Sequence, residues 1–164
     1  MSSPDQDTGR LATLPTRWVG ILSQLRLAAN FLTIVPVGPG LADNATVAAS
    51  FRWFPLIGFA IGSALAVEDS LLGMLFPAML RSVVVILSLV ILTGAVHLDA
   101  LADTADALGA GGSRQRALEI LRDSRIGTFG AAALFLSLAL KIFALGTLHG
   151  RDRMVALFVA PGLS

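Results

Sequence analysis

The sequence predicts an all-α, polytopic integral membrane helical bundle, as the N-terminal fragment of a longer chain, and three observations lead there. Of its 164 residues, 55% are apolar and only 14% charged, against roughly 25% charged in soluble domains. Residues 82–98, SVVVILSLVILTGAVHL, carry no formal charge and reach the lower limit of the ~17–25 residues that cross a bilayer as helix. Residues 127–148 make a second run of that kind, broken only by Lys141, the one lysine in the chain.

Composition also excludes several classes. With no cysteine, a disulfide-stapled secreted domain and a cysteine-ligated zinc or iron–sulfur module are ruled out. The net charge of +1 removes the broad basic field of a nucleic-acid binder.

Taken in order, residues 1–15 are polar and predict a disordered tail, without the short apolar core of a signal peptide. Residues 16–164 are expected to form one multi-pass membrane domain, incomplete at its C-terminus. From Thr16 to Val37, Arg17, Gln24, Arg26 and Asn30 alternate with Trp18, Ile21, Leu25 and Phe31. That mixture predicts an interfacial amphipathic helix with Trp18 at headgroup depth. Residues 36–44, PVGPGLADN, read as a loop.

Arg52 then precedes a shorter apolar run, 54–67, which stops at Glu68 and Asp69 and resumes as Leu71–Leu80 around Pro77. This is either one tilted helix or a re-entrant hairpin, with Glu68 and Asp69 read as the end of a span. The 82–98 span follows. Two crossings return the chain to the side of its N-terminus for residues 99–126, which carry Arg114, Arg116, Arg122 and Arg125. That placement makes the shared side cytoplasmic, although Arg151 and Arg153 on the far side argue against it. The final apolar run from Met154 is too short to cross, and no fixed-period repeat suggests a solenoid.

Five of the eleven acidic residues lie between positions 99 and 123. Asp99, Asp103 and Asp106 are spaced i, i+4, i+7, which at about 100° per residue puts them within roughly 60° on one helix face. Oxygen-only ligands at that spacing suit a hard cation such as Mg²⁺ or Mn²⁺, and Asp123 stands ready to complete the set. Gly109, Gly111 and Gly112 break the chain between the two acidic segments, and Ser113 is placed as the N-cap of a short helix through Arg122. The arginines supply planar donors for phosphate oxygens. Taken singly, each aspartate also reads as a solvated surface group; the triplet at a membrane boundary reads as functional. Glu119 is expected to pair with Arg116 or Arg122. His97 lies about 160° from Asp99 on a continuous helix, so packing and catalysis both stay open for it. Lys141 either snorkels to the interface or serves as a counter-ion for substrate phosphate.

The segments HLDALADTADAL (97–108) and LEILRDSRIGTFGAAAL (118–134), with FLTIVPV (31–37) and FRWFPLIGFAIG (51–62), closely resemble the cobalamin synthase family, the adenosylcobinamide-GDP ribazoletransferases. Ile34 stands where that family commonly has arginine, and Ala100 where it has glycine. The resemblance implies joining of alpha-ribazole, or its 5′-phosphate, to adenosylcobinamide-GDP with release of GMP, the last assembly step of cobalamin biosynthesis. It implies Mg²⁺ held by Asp99, Asp103 and Asp106, and a site on the cytoplasmic face of the inner membrane. Asp106 or Asp123 is expected as general base, and Arg125 as a catalytic phosphate clamp. Arg52, Arg122, Ser124 and Lys141 are expected to bind substrate. Expected partners are the two substrates, the lipid bilayer, and a homo-oligomer or a complex with other corrinoid-pathway enzymes, with no nucleic acid.

Two other classes remain on the residues. One is a CDP-alcohol-type phosphotransferase using the same carboxylates, related by chemical analogy only. The other is a cation or proton transporter whose Asp99, Asp103 and Asp106 line a path, a reading that leaves the adjacent arginines without purpose.

Overall fold

The computed structural model describes residues 16–38, 43–123 and 125–163, and side chains from residue 20 onward. The expected tail over 1–15 and the substrate contact of Ser124 lie outside the described residues, and the headgroup placement of Trp18 falls on a side chain that is not described. Within them the elements are all helical: α1 (Thr16–Leu32), α2 (Asn44–Ser50), a 3-10 turn (Phe51–Trp53), α3 (Phe54–Leu72), α4 (Ala78–Leu92), α5 (Val96–Gly109), α6 (Arg114–Ile120), α7 (Thr128–Thr147) and α8 (Gly150–Leu163). The all-α class read from the sequence holds.

α1 stops five residues short of Val37, and the reason is local. The Thr33 hydroxyl donates to the Ala29 carbonyl, while the Asn30 side chain accepts from the Val37 amide and donates to the Gly38 carbonyl. These side-chain bonds compete with the helix ladder, and Pro36 has no N–H to extend it. The extended segment that follows is tied to the end of α4, where the Ile34 amide donates to the Leu92 carbonyl at 2.9 Å.

Asp43 caps α2 by accepting from the Thr46 amide at 2.9 Å, and hydrogen bonding from the Thr46 side chain and then from this amide holds its carboxyl below the usual range. From there α2, the 3-10 turn and α3 run on as a 29-residue helical stretch, Asn44–Leu72, long and apolar enough to cross a membrane. Glu68 and Asp69 do not end this span, contrary to the sequence expectation. The helix passes through both because each finds a partner: Glu68 accepts from the Ser88 hydroxyl at 2.7 Å, and Asp69 is fully buried against arginines. Residues 73–77 then turn the chain, so α3 and α4 form an antiparallel hairpin.

The 82–98 span is likewise corrected. α4 ends at Leu92, and α4 and α5 are bent by 89° at the break, passing as one span only if taken together. The cause is a Schellman closure, with Gly94 at φ +61° donating to the Ile91 carbonyl and Ala95 donating to the Val90 carbonyl. Ala95 itself is left-handed at φ +58°, a conformation that costs a non-glycine residue about 1 kcal/mol. α7, in contrast, is one 20-residue apolar helix, as expected. Phe135, Leu136, Leu140 and Phe143 stand exposed on it, as on a surface facing lipid. The chain is therefore a membrane protein with two candidate spans, or three if the bent pair is one.

The core is formed by Ile61 and Leu65 of α3, Val85 and Ile86 of α4, Leu145 of α7 and Leu157 of α8. α8 packs along α3 where Gly58 and Gly62 let the backbones meet. A Cβ at Gly62 would stand 2.6 Å from the Leu157 carbonyl oxygen, and one at Gly58 would run into Pro161. Small residues four apart are a standard means of close helix contact in membranes. Gly62→Leu is accordingly expected to cost about 1–3 kcal/mol by overpacking, read as a lower thermal unfolding midpoint in detergent, whereas exposed Ala64→Leu leaves it in place.

One end of the bundle carries a buried ionic cluster. Arg153 of α8, 2% exposed, donates from Nη2 to Asp69 Oδ1 at 2.6 Å and from Nε to Oδ2 at 2.9 Å. Its Nη1 donates to the Ser82 hydroxyl and to the Leu145 carbonyl at the C-terminus of α7, where a cation suits the helix dipole. Arg81 also donates to Asp69, at 3.1 Å. Arg153 is thus a structural side chain, paired inside the bundle. The opposite end gathers the 3-10 turn with Arg52, the α4–α5 break, α6 and the start of α7. Arg52 and the described residues of 99–126 share that end.

Candidate active site

The acidic segment folds as α5, and the spacing read from the sequence takes effect there. Asp99 and Asp103, one turn apart, point into a recess of about 390 Å³ whose far wall is the loop after α6, with Arg122, Asp123 and Arg125. Ser113 caps α6 by accepting from the Arg116 amide, and the helix ends at Ile120, so the chain turns back toward α5. Glu119 pairs with Arg116 at 3.2 Å on the exposed face, one of the two partners expected.

Neither Asp99 nor Asp103 has a side-chain hydrogen bond or ion pair among the described residues. Two like charges one helical turn apart repel, so an ionised pair without partners stores a demand for positive charge. Across the recess, Asp123 and Arg125 satisfy each other. Arg125 donates from Nε to Asp123 Oδ1 at 3.0 Å and from Nη2 to Oδ2 at 2.6 Å, and its amide adds a bond to Oδ1 at 3.1 Å. That fork holds the Asp123 carboxyl down at about 2 and raises the Arg125 guanidinium in turn. Because the Asp123 pKa is depressed, the ion pair is intact above the ordinary carboxylate range and is lost only as pH falls toward 2. A carboxylate so held is a poor proton acceptor at neutral pH. The pair is exposed, so it contributes little to stability; what it does is fix the guanidinium while leaving Nη1 unbonded among the described residues.

Asp106 departs from the one-face expectation. It lies on α5 with the other two, but its carboxylate turns to the N-terminus of α7, accepting from the Gly127 amide at 2.7 Å and from the Gly130 amide at 2.8 Å. It does not line the recess. Among the described residues, no three acidic or histidine side chains converge tightly enough to hold a metal ion, so the triplet Asp99, Asp103 and Asp106 is not assembled as a cage. What stands ready is the pair Asp99 and Asp103. Mg²⁺ is commonly held by one or two carboxylates together with substrate phosphates, and two unpartnered carboxylates facing two guanidinium groups fit that arrangement.

Arg52 and Lys141 are not brought to the recess. Arg52 donates to Gln24 Oε1 at 2.5 Å and lies 5.4 Å from the centroid of the Trp53 ring. Lys141 is exposed on α7, about two turns beyond Leu134 at the recess wall. His97 is exposed and does not line the recess. A second, uncharged recess of about 520 Å³ lies on the other side of the α4–α5 break, between Phe31, Ile34, Thr93 and Val96. The sequence offered no sign of it, since Ile34 and Val96 meet only through the fold.

The model of the cobalamin-5-phosphate synthase family matches residues 24–164. An adenosylcobinamide-GDP ribazoletransferase of Roseiflexus sp. (strain RS-1) is 40% identical over 166 residues, covering 99% of this chain and 60% of its own length. The protein of the same name from Desulforamulus reducens is 38% identical over 141 residues, covering 86% of this chain and 57% of its own. That of Azorhizobium caulinodans is 42% identical over 154 residues, covering 88% and 58%. The chain thus spans between 57% and 60% of the length of these curated relatives. No solved structure matches it.

Proposed function

Since the chain belongs to the cobalamin-5-phosphate synthase family, we propose that the full-length protein joins alpha-ribazole, or its 5′-phosphate, to adenosylcobinamide-GDP with release of GMP, at the cytoplasmic face of the cell membrane. The observation that carries this reading is the recess itself, in which unpartnered Asp99 and Asp103 face Arg122 and a held Arg125. A cation path gains little from guanidinium groups in its wall, and membership of this family favours the ribazole transfer over a lipid phosphotransferase.

The reaction is a displacement at phosphorus. The acceptor hydroxyl oxygen forms a bond to the phosphorus that carries cobinamide, the bond from that phosphorus to the bridging oxygen breaks, and GMP leaves with the electron pair. The hydroxyl proton passes to solvent. Asp99 and Asp103 would hold Mg²⁺ on this reading, and the ion would supply positive charge to the diphosphate. Arg122 and Arg125 bind the diphosphate oxygens and neutralise the charge that grows on the leaving phosphate. Asp123 orients Arg125.

Arg125→Lys is expected to raise the KM for adenosylcobinamide-GDP about tenfold, because a point charge cannot reproduce the fork with Asp123. Steady-state kinetics with the acceptor saturating read that change, and an unaltered KM removes Arg125 from the clamp. The reaction itself is tested by product identity. Full-length protein in liposomes, given both substrates, is expected to yield the ribazole-linked corrinoid and free GMP by mass spectrometry. A guanylylated acceptor with cobinamide phosphate would place the attack on the other phosphorus and refute the scheme.

A further inference from the structure

We propose that Asp106 is a positioning residue: its carboxylate clamps the start of α7 to α5 and so sets the distance between the α5 carboxylates and the arginine loop. The inference rests on the reading above, in which Asp99 and Asp103 hold the metal, and it separates Asp106 from them.

α7 begins at an N-cap glycine, Gly127, whose missing side chain cannot satisfy the free amides of the first turn. Asp106 supplies the acceptor from another helix. One oxygen takes the Gly127 amide and the other the Gly130 amide, so both are engaged by the same turn, where the helix dipole favours an anion. The complement is built into the partner. A Cβ at Gly127 or at Gly130 would run into this carboxylate, and one at Gly130 would also stand 2.9 Å from the Ala102 carbonyl oxygen. The glycines of the segment RIGTFG therefore read as the seat for Asp106. Four residues before Gly127 stands Asp123, and two before it Arg125, so the clamp fixes the short tether that carries the guanidinium to the recess. A residue bound in this way acts on the reaction through Arg125, and the metal is held without it.

The test uses full-length protein in liposomes and two variants, Asp106→Asn and Gly127→Ala, the second of which leaves the carboxylate chemically intact. Hydrogen exchange at the amides of residues 125–131 is expected to quicken about tenfold in both, the size of a lost helix cap, while exchange along α3 and α8 is unchanged and reports that the bundle is folded. Binding of Mn²⁺ alone, followed by electron paramagnetic resonance, is expected to stay within about twofold of the unaltered protein. Turnover is expected to fall about tenfold or more in both variants, with a raised KM for adenosylcobinamide-GDP. Unchanged exchange at 125–131 overturns the clamp. Loss of Mn²⁺ binding in Asp106→Asn, equal to that in Asp103→Asn, overturns it in favour of a metal ligand. Absence of Mn²⁺ binding in the unaltered protein would instead refute the metal reading and leave the exchange result to decide the clamp.

Discussion

Asp69→Ala is expected to cost about 3–5 kcal/mol, the penalty for leaving a buried cation without its partner, out of the ~5–15 kcal/mol that folded domains hold in total. Arg153 is 2% exposed and among the described residues has its only anionic partner in Asp69, with Arg81 drawing on the same carboxylate. Removing the carboxylate leaves the buried Arg153 guanidinium with the neutral Ser82 hydroxyl and Leu145 carbonyl as its partners, and takes the same anion from the partly exposed Arg81. The neighbouring Asp152→Ala, at an exposed position, serves as control and stays within about 0.5 kcal/mol. Thermal unfolding in detergent and the yield of monodisperse protein check the pair. Equal midpoints for the two variants would mean that the cluster is solvated and does not lock α8 to the bundle.

Asp103→Asn is expected to show the opposite profile. Its side chain has no partner among the described residues, so neutralising it relieves the repulsion from Asp99 and leaves the unfolding midpoint unchanged or raised. Turnover is expected to fall at least a hundredfold, because the several kcal/mol of charge stabilisation that a metal supplies at a diphosphate goes with it. A stable protein without turnover is the signature of a functional carboxylate, and functional sites commonly hold such uncompensated charge at the expense of stability. Normal turnover in this variant removes the carboxylate pair from the site.

How much of this was legible in the sequence differs from element to element. The apolar run over α7, the short helix opened by Ser113 and the Arg116–Glu119 pair all follow from local pattern, and the structure has them. Asp69 was read as a terminator because its partner Arg153 lies 84 residues away, and no local pattern announces a pairing at that separation. The break after α4 was legible in principle, since Thr93–Gly94 is a C-cap signal, but the uninterrupted apolar run masked it. Asp106 shows the limit of face arithmetic. Helical spacing placed it correctly beside Asp99 and Asp103, yet the free amides of α7 compete for its carboxylate, and that competition exists only once α5 and α7 are packed. Arg52 belongs to the expected site only if the N-terminal segment folds over it, and Lys141 only as the alternative to snorkelling; in the structure Arg52 lies against Gln24 and Trp53, and Lys141 is exposed on α7 away from the recess.

The central claim is that this recess runs a metal-dependent transfer of a ribazole acceptor onto the cobinamide phosphorus. Its most direct test follows GMP release by the full-length protein in liposomes, with adenosylcobinamide-GDP and alpha-ribazole 5′-phosphate, in Mg²⁺ and then in excess chelator. The account predicts release that needs both substrates and stops with the chelator. Release that continues in chelator, or that proceeds without the acceptor, would contradict it.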